Sequence, residues 1–257
     1  MRLSFDEQGT GPVVVLLHGF PLDRTMWSSQ LGMLSNHHRV IAPDLRGHGQ
    51  SPTPPGPYRM EDMAADVIET LDAARVEPPY VVGGLSMGGY VALAMAERYP
   101  DRLRGLILLN TRAGADSPEA AANREAKATA LEQEGSTESL AAMVELLIPE
   151  TTRNSRPELV DQVVAMIRQT SPIGAAGALR GMAMRPDRLD VLRRLAVPLR
   201  VIAGADDAIV PEAEAQVMAE ATPQGDLIVI PGAGHLTPLE TPGATNTAIR
   251  SFLERLT

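Results

Sequence analysis

Short apolar runs bounded by turn residues recur along the chain: Val13–Leu17, Val40–Ala42, Tyr80–Val82, Leu106–Leu109, Leu199–Ala203 and Leu227–Ile230. They do not alternate with polar positions and most are rich in β-branched residues. That suits strands buried on both faces of a parallel sheet. Between them the apolar spacing turns helical. Met60–Ala74 sets Met60, Met63, Ala64, Val67, Ile68 and Leu71 on one stripe, and Met87–Arg98 does the same with Val91, Ala92, Met95 and Ala96. Glu212–Ala221 and Pro242–Leu256 complete the set. Strands alternating with helices predict an α/β fold built on a mostly parallel, doubly wound sheet.

One region breaks the alternation. From 114 to 194 no strand pattern occurs, and helical patterns succeed one another over Pro118–Glu134, Thr137–Leu147, Pro157–Gln169 and Ile173–Met184. The strand pattern resumes at Leu199, so the stretch reads as a helical insertion into one sheet. The expected organisation is a core of residues 1–113 and 195–257 carrying a cap of residues 114–194. The Pro-rich segment at 51–58 is short enough for a surface loop.

Composition narrows the chemistry. The 257 residues include no cysteine, which removes disulfides, thiolate-bound zinc and a cysteine nucleophile. The formal net charge is −9, and Lys127 is the only lysine. A nucleic-acid binder would show a basic face, and an anionic membrane would repel this surface. A small-molecule substrate is expected, with no nucleic-acid or membrane partner and no cofactor or metal. Nothing apolar follows Arg2 closely enough for a secretory signal, and no apolar run spans a bilayer. A cytoplasmic protein is therefore expected.

The sharpest local signal is Gly84-Leu85-Ser86-Met87-Gly88, a G-x-S-x-G pattern. Alone it could be a glycine-rich helix cap with an idle serine. Here a strand pattern leads in and a helical pattern leads out, so Ser86 falls on a sharp strand-to-helix turn and is the expected nucleophile. The helix start behind it favours a developing oxyanion. Upstream, the first long strand ends in His18-Gly19-Phe20. The expected oxyanion donors are the backbone N–H groups of Phe20 and Met87, with His18 bracing the loop.

A serine hydroxyl needs a base. Of the five histidines, His37 and His38 lie in a polar link and read as solvated, while His48 lies in a turn and reads as structural. His235 directly follows the last strand, which puts it at the carboxyl edge of the sheet with Ser86, and it is the expected base. The acid should lie between them in the chain. Asp206 and Asp207 both follow strand 199–203; Asp207, one residue further round the turn, is the choice, and Asp206 reads as a turn or capping residue.

With these residues in place the chain resembles the α/β-hydrolase superfamily over nearly its whole length. The likeness rests on HGFPLDRTMW at 18–27, PDLRGHGQS at 43–51, GLSMGG at 84–89, GADDAIVP at 204–211 and PGAGHLTPLETP at 231–242. It implies that the acid stands three residues after the strand-ending glycine, again Asp207. It also implies that 114–194 is a cap over the substrate site, inserted after the sixth strand of the family pattern. Within the superfamily the chain is similar to small bacterial carboxylesterases and 3-oxoadipate enol-lactonase-like enzymes. Cofactor-free haloperoxidases and perhydrolases share these motifs, and some members act as small-molecule receptors. Relatives usually begin with a two-stranded hairpin; only Arg2–Glu7 precedes the first Gly-rich turn here, so one edge strand should be missing and the sheet should have seven strands. The expected pocket residues are Leu22, Trp27, Met143, Met182, Ile209 and Leu236, with Met166 and Met184 as further candidates in a Met-rich cap.

Overall fold

A computed structural model describes residues 1–256. The apolar runs become strands, most of them a few residues longer than the runs themselves. β2 (Val13–Leu17), β3 (Arg39–Pro43), β4 (Tyr80–Leu85), β5 (Leu103–Leu109), β6 (Leu199–Gly204) and β7 (Gly225–Ile230) are all parallel. A short β1 (Phe5–Gln8) adds antiparallel to β3, giving a seven-stranded sheet in the order β1-β3-β2-β4-β5-β6-β7. The seven strands match the expected number. Two-sided burial holds for β4 and β6, buried at every position, but not for β7. β7 is the last strand of the sheet, so one flank has no neighbour and Ile228 remains exposed.

The helices between strands are α1 (Ser28–Leu34), α2 (Met60–Ala73), α3 (Met87–Arg98) and α10 (Glu212–Glu220), followed at the end of the chain by α11 (Thr237–Glu240) and α12 (Pro242–Glu254). In α3 every residue from Met87 to Ala96 is buried, so this helix runs through the centre of the core. Strand order reverses at β2: the chain passes outward to β3 and then returns to β4 on β2's other side. The connections leaving β2 and β4 therefore start on either side of a switch in strand order, and ligands of such sheets collect outside the carboxyl ends of the strands at that point.

Residues 114–194 hold no strand. They form α4 (Pro118–Glu134), a 3-10 turn (Glu138–Met143), α5 (Val144–Leu147), α6 (Glu150–Ser155), α7 (Pro157–Gln169), α8 (Pro172–Ala183) and α9 (Leu189–Arg193). The helix expected over 137–147 is thus split. Leu140, Val144 and Leu147 are still buried at helical spacing, while the backbone over 138–143 winds more tightly. α8 lays a glycine face on the core: a Cβ on Gly174 would sit 1.9 Å from the Gly47 carbonyl oxygen, and one on Gly181 would sit 1.6 Å from that of Tyr58. Only glycine lets the two backbones approach so closely. The two ends of this helical stretch are tied where the Arg188 N–H donates to Ala113 O at 2.9 Å, and the buried Arg188 guanidinium pairs with Glu61 and Glu97. No helix among the described residues is long and apolar enough to cross a membrane.

Candidate active site

Ser86 links β4 to α3 with φ +52° and ψ −113°, a conformation that L-residues rarely adopt. Strain of this kind costs roughly 1–3 kcal/mol and needs rigid surroundings. Those surroundings are glycines in direct backbone contact: a Cβ on Gly84 would lie 2.2 Å from the Gly88 carbonyl oxygen, and one on Gly88 would lie 2.2 Å from that of Leu17. The Ser86 N–H donates to Leu109 O at 2.9 Å, and the Thr111 hydroxyl donates to Ser86 O at 2.8 Å. The Ser86 side chain makes no capping bond to α3, so its hydroxyl is left for other work.

The loop after β2 lies against this turn. A Cβ on Gly19 would be 3.5 Å from Ser86 Cβ. Among the described residues, neither the Phe20 N–H nor the Met87 N–H has a protein acceptor. The His18 Nδ1–H donates to Gly19 O at 2.9 Å, and its Nε2 accepts the Leu45 N–H at 2.9 Å. Burial drives the His18 pKa down to about 4, so the ring is a neutral strut joining the ends of β2 and β3. His48 packs 5.1 Å from it, and burial, then the neighbouring His18, push its pKa down to about 3. His37 is exposed as expected; His38 is half-buried, and burial lowers its pKa.

The next three strand ends complete the cluster. His235 follows β7, and its Nδ1–H donates to both oxygens of Asp207, at 2.9 and 3.1 Å; both side chains are buried. Asp207 Oδ1 also accepts the N–H groups of Ile209 and Val210, at 2.8 and 3.0 Å. Burial alone would raise the Asp207 pKa. The His235 hydrogen bond and charge, the Asn110 amide and the Val210 N–H together hold it below the ordinary carboxylate value, so it is ionised at neutral pH. Asp206 is exposed, and its N–H closes the turn onto Ala233 O at 2.9 Å.

Several groups given no site role from the sequence shape this cluster. Asn110, 1% exposed and at φ +46°, follows β5. Its Nδ2 donates to Asp207 Oδ2 at 3.0 Å and to Gly234 O at 3.1 Å, and its Oδ1 accepts the Thr237 hydroxyl at 2.8 Å. Glu240 is also buried and accepts the Gly234 and Leu236 N–H groups. The His235 N–H donates to Leu147 O, a carbonyl of α5, at 3.1 Å. The polar pair Asn110-Thr111, directly after a buried strand on the same rim, was the one visible sign of such support.

Of the expected pocket residues, Leu22, Trp27 and Leu236 are fully buried, Met182 nearly so, and Met143 and Ile209 half-buried. Met166 is buried with its Sδ near the Thr25 hydroxyl. Met184 ends α8 and is 47% exposed, so it is a surface residue instead. No group of three His, Asp or Glu among the described residues could hold a metal ion.

Comparison with known proteins agrees with this architecture. A thermophilic esterase from Thermogutta terrifontis superimposes with a TM-score of 0.96 at 46% identity, covering 99% of this chain and 93% of that one. The enol-lactonase from Burkholderia xenovorans gives a TM-score of 0.91 at 29% identity, covering 98% and 96%. A 3-oxoadipate enol-lactonase of Acinetobacter baylyi is 30% identical over 249 residues, 96% of this chain and 91% of the relative. The model of the alpha/beta hydrolase fold matches residues 12–242, and the chain belongs to that family.

Proposed function

We propose that the protein is a serine carboxylesterase that hydrolyses small to medium carboxylic esters, lactones among them, through an acyl-enzyme on Ser86. The observation that carries this reading is the buried Asp207–His235 pair on the same sheet edge as a serine held in a strained strand-to-helix turn. The similarity to an esterase and to enol-lactonases supports the substrate class.

In this reading His235 Nε2 takes the Ser86 proton as Oγ attacks the carbonyl carbon. Ionised Asp207 fixes the Nδ1–H tautomer and stabilises the imidazolium without taking the proton. The carbonyl oxygen gains negative charge and is received by the Phe20 and Met87 N–H groups. A removed oxyanion donor costs about 10²–10³ in kcat, so this pair is a large share of the catalysis. His235 then protonates the leaving alcohol. Water, deprotonated by His235, attacks the acyl-enzyme and frees the acid and Ser86. The pocket is assigned to Leu22, Trp27, Met143, Met182, Ile209 and Leu236 under the cap of residues 114–194. Ser86→Ala should abolish turnover of p-nitrophenyl esters; retained turnover would sink the assignment. A chain-length series of esters and lactones then sets the preference within the class.

A further inference from the structure

Glu240 is a buried carboxylate that the mechanism above does not use. It ends α11, five residues after His235, and is 6% exposed. Its Oε2 accepts the Gly234 N–H at 2.9 Å, and its Oε1 accepts the Leu236 N–H at 2.8 Å. One carboxylate thus grips the backbone on both sides of the histidine. Asn110 holds the other face of the same segment through Gly234 O. Among the described residues no cation pairs with the Glu240 carboxylate. Arg156, which reaches the end of α11, donates to the carbonyl oxygens of Leu239 and Glu240, at 3.2 and 2.9 Å.

We propose that Glu240 is a positioning residue for His235: it fixes the backbone on either side of the imidazole and sets a second buried negative charge, besides Asp207, beside it. The proposal rests on the reading of His235 as the base. Burying an unpaired carboxylate is costly, and a neutral side chain could cap one N–H as well. Only a carboxylate offers two acceptors at once with no donor facing either N–H. Its charge favours the protonated imidazole, which must form each time Ser86 is deprotonated. Burial raises the Glu240 pKa, and the two N–H bonds and the nearby His235 counter this.

The charged and titratable groups around it are few. His235 and Asp207 face it from the strand ends. Arg24, in the 3-10 turn packed on α11, is taken by Asp6 and Asp44. α1 offers the neutral Gln30 amide to Pro238 O, and α12 offers the Thr245 hydroxyl to Thr237 O. Arg250 and Glu254 on α12 are exposed and face each other at 3.7 Å. Removing the Glu240 charge should therefore act on His235 with little compensation.

The test is Glu240→Gln, which keeps the shape, loses the charge and turns a donor toward one N–H. On a short-chain p-nitrophenyl ester, kcat should fall at least about tenfold with KM nearly unchanged, as expected when an interaction of the transition state is lost. The His235 midpoint, followed by NMR of its imidazole Cε1–H, should fall by on the order of one pH unit, because a nearby negative charge has gone. The acid limb of kcat/KM should move to lower pH with it. An unmoved His235 midpoint or a wild-type kcat overturns the proposal, whatever the melting temperature does. If the Gln variant fails to fold, Glu240→Asp decides: it keeps the charge and shortens the reach, so kcat should fall while the His235 midpoint stays near its native position. A wild-type kcat in that variant overturns the proposal. Should Ser86→Ala remain active, the serine mechanism falls, and the His235 midpoint still reads the effect of Glu240.

Discussion

Replacing Asn110 by alanine tests how the acid–base pair is held. The side chain is buried and makes three hydrogen bonds: to the Asp207 carboxylate, to Gly234 O and from the Thr237 hydroxyl. A bond to a charged group contributes about 1.5–3 kcal/mol and a neutral one about 1 kcal/mol. The φ of +46° adds about 1 kcal/mol against alanine, which lacks the local hydrogen bonding that lets asparagine adopt it. With some relief from water entering the void, Asn110→Ala should cost about 4 kcal/mol, or roughly 10 °C in Tm for a chain of this size. Asn110→Gly loses the same bonds without the left-handed penalty, so it should be the more stable of the two by a few tenths to about 1 kcal/mol. Acid sensitivity gives an independent sign. The folded pKa of Asp207 lies below its unfolded value, so its stabilisation is complete above about pH 4 and is lost as pH falls through the folded pKa. Without the Asn110 donor that pKa rises, and the loss begins at higher pH. Calorimetry at pH 7 and an acid titration of wild type, Ala and Gly variants measure all of this. A Tm drop below about 3 °C, or an alanine variant as stable as the glycine variant, would refute the reasoning.

Asp207→Asn should lower kcat by about 10⁴ through the wrong imidazole tautomer, while exposed Asp206→Asn should leave it within about twofold; the reverse pattern exchanges their roles. Ser86→Gly should abolish ester turnover yet raise Tm by about 2–4 °C, because glycine relieves the strained backbone; an unchanged or lower Tm in calorimetry contradicts the strain. Gly88→Ala drives a Cβ to 2.2 Å from Leu17 O, so it should yield little folded, active protein, and a fully active variant would disprove the packing of the turn. His18 and His48 have folded pKa values of about 4 and about 3, below the unfolded value near 6.5. The stability they carry is complete above pH 6.5 and drains as pH falls toward those values; His48→Phe should therefore move the acid-unfolding midpoint, read by circular dichroism, to lower pH.

Much of this was legible in the chain. Strands buried on both faces are largely apolar, so β2, β4, the second half of β5 and β6, which only the buried Arg200 interrupts, stood out as short apolar runs, and the helices beside them showed the 3.6-residue stripe. β7 was legible as a strand but not as an edge, because position in a sheet is a property of neighbours. The helix expected over 137–147 is helical there, but with a 3-10 pitch over 138–143 and an α-helical one only over 144–147. The placement of Ser86, Asp207 and His235 just past the ends of β4, β6 and β7 was legible, because parallel topology gathers those loops on one rim.

By itself, then, the sequence determined the strand–helix alternation, the strand-free helical stretch over 114–194 and the residue types at the strand ends, since these follow from local periodicity and from turn chemistry. Only the tertiary structure decided which polar groups meet. Asn110 reaches Asp207 across 97 positions and Gly234 across 124. Glu240 grips the backbone on both sides of the histidine, and the Leu147 carbonyl of α5 accepts the His235 N–H. Such contacts leave no periodic trace, because they are fixed by the pairing order of strands and by burial, which forces each buried polar group to find whatever partner the fold brings within reach.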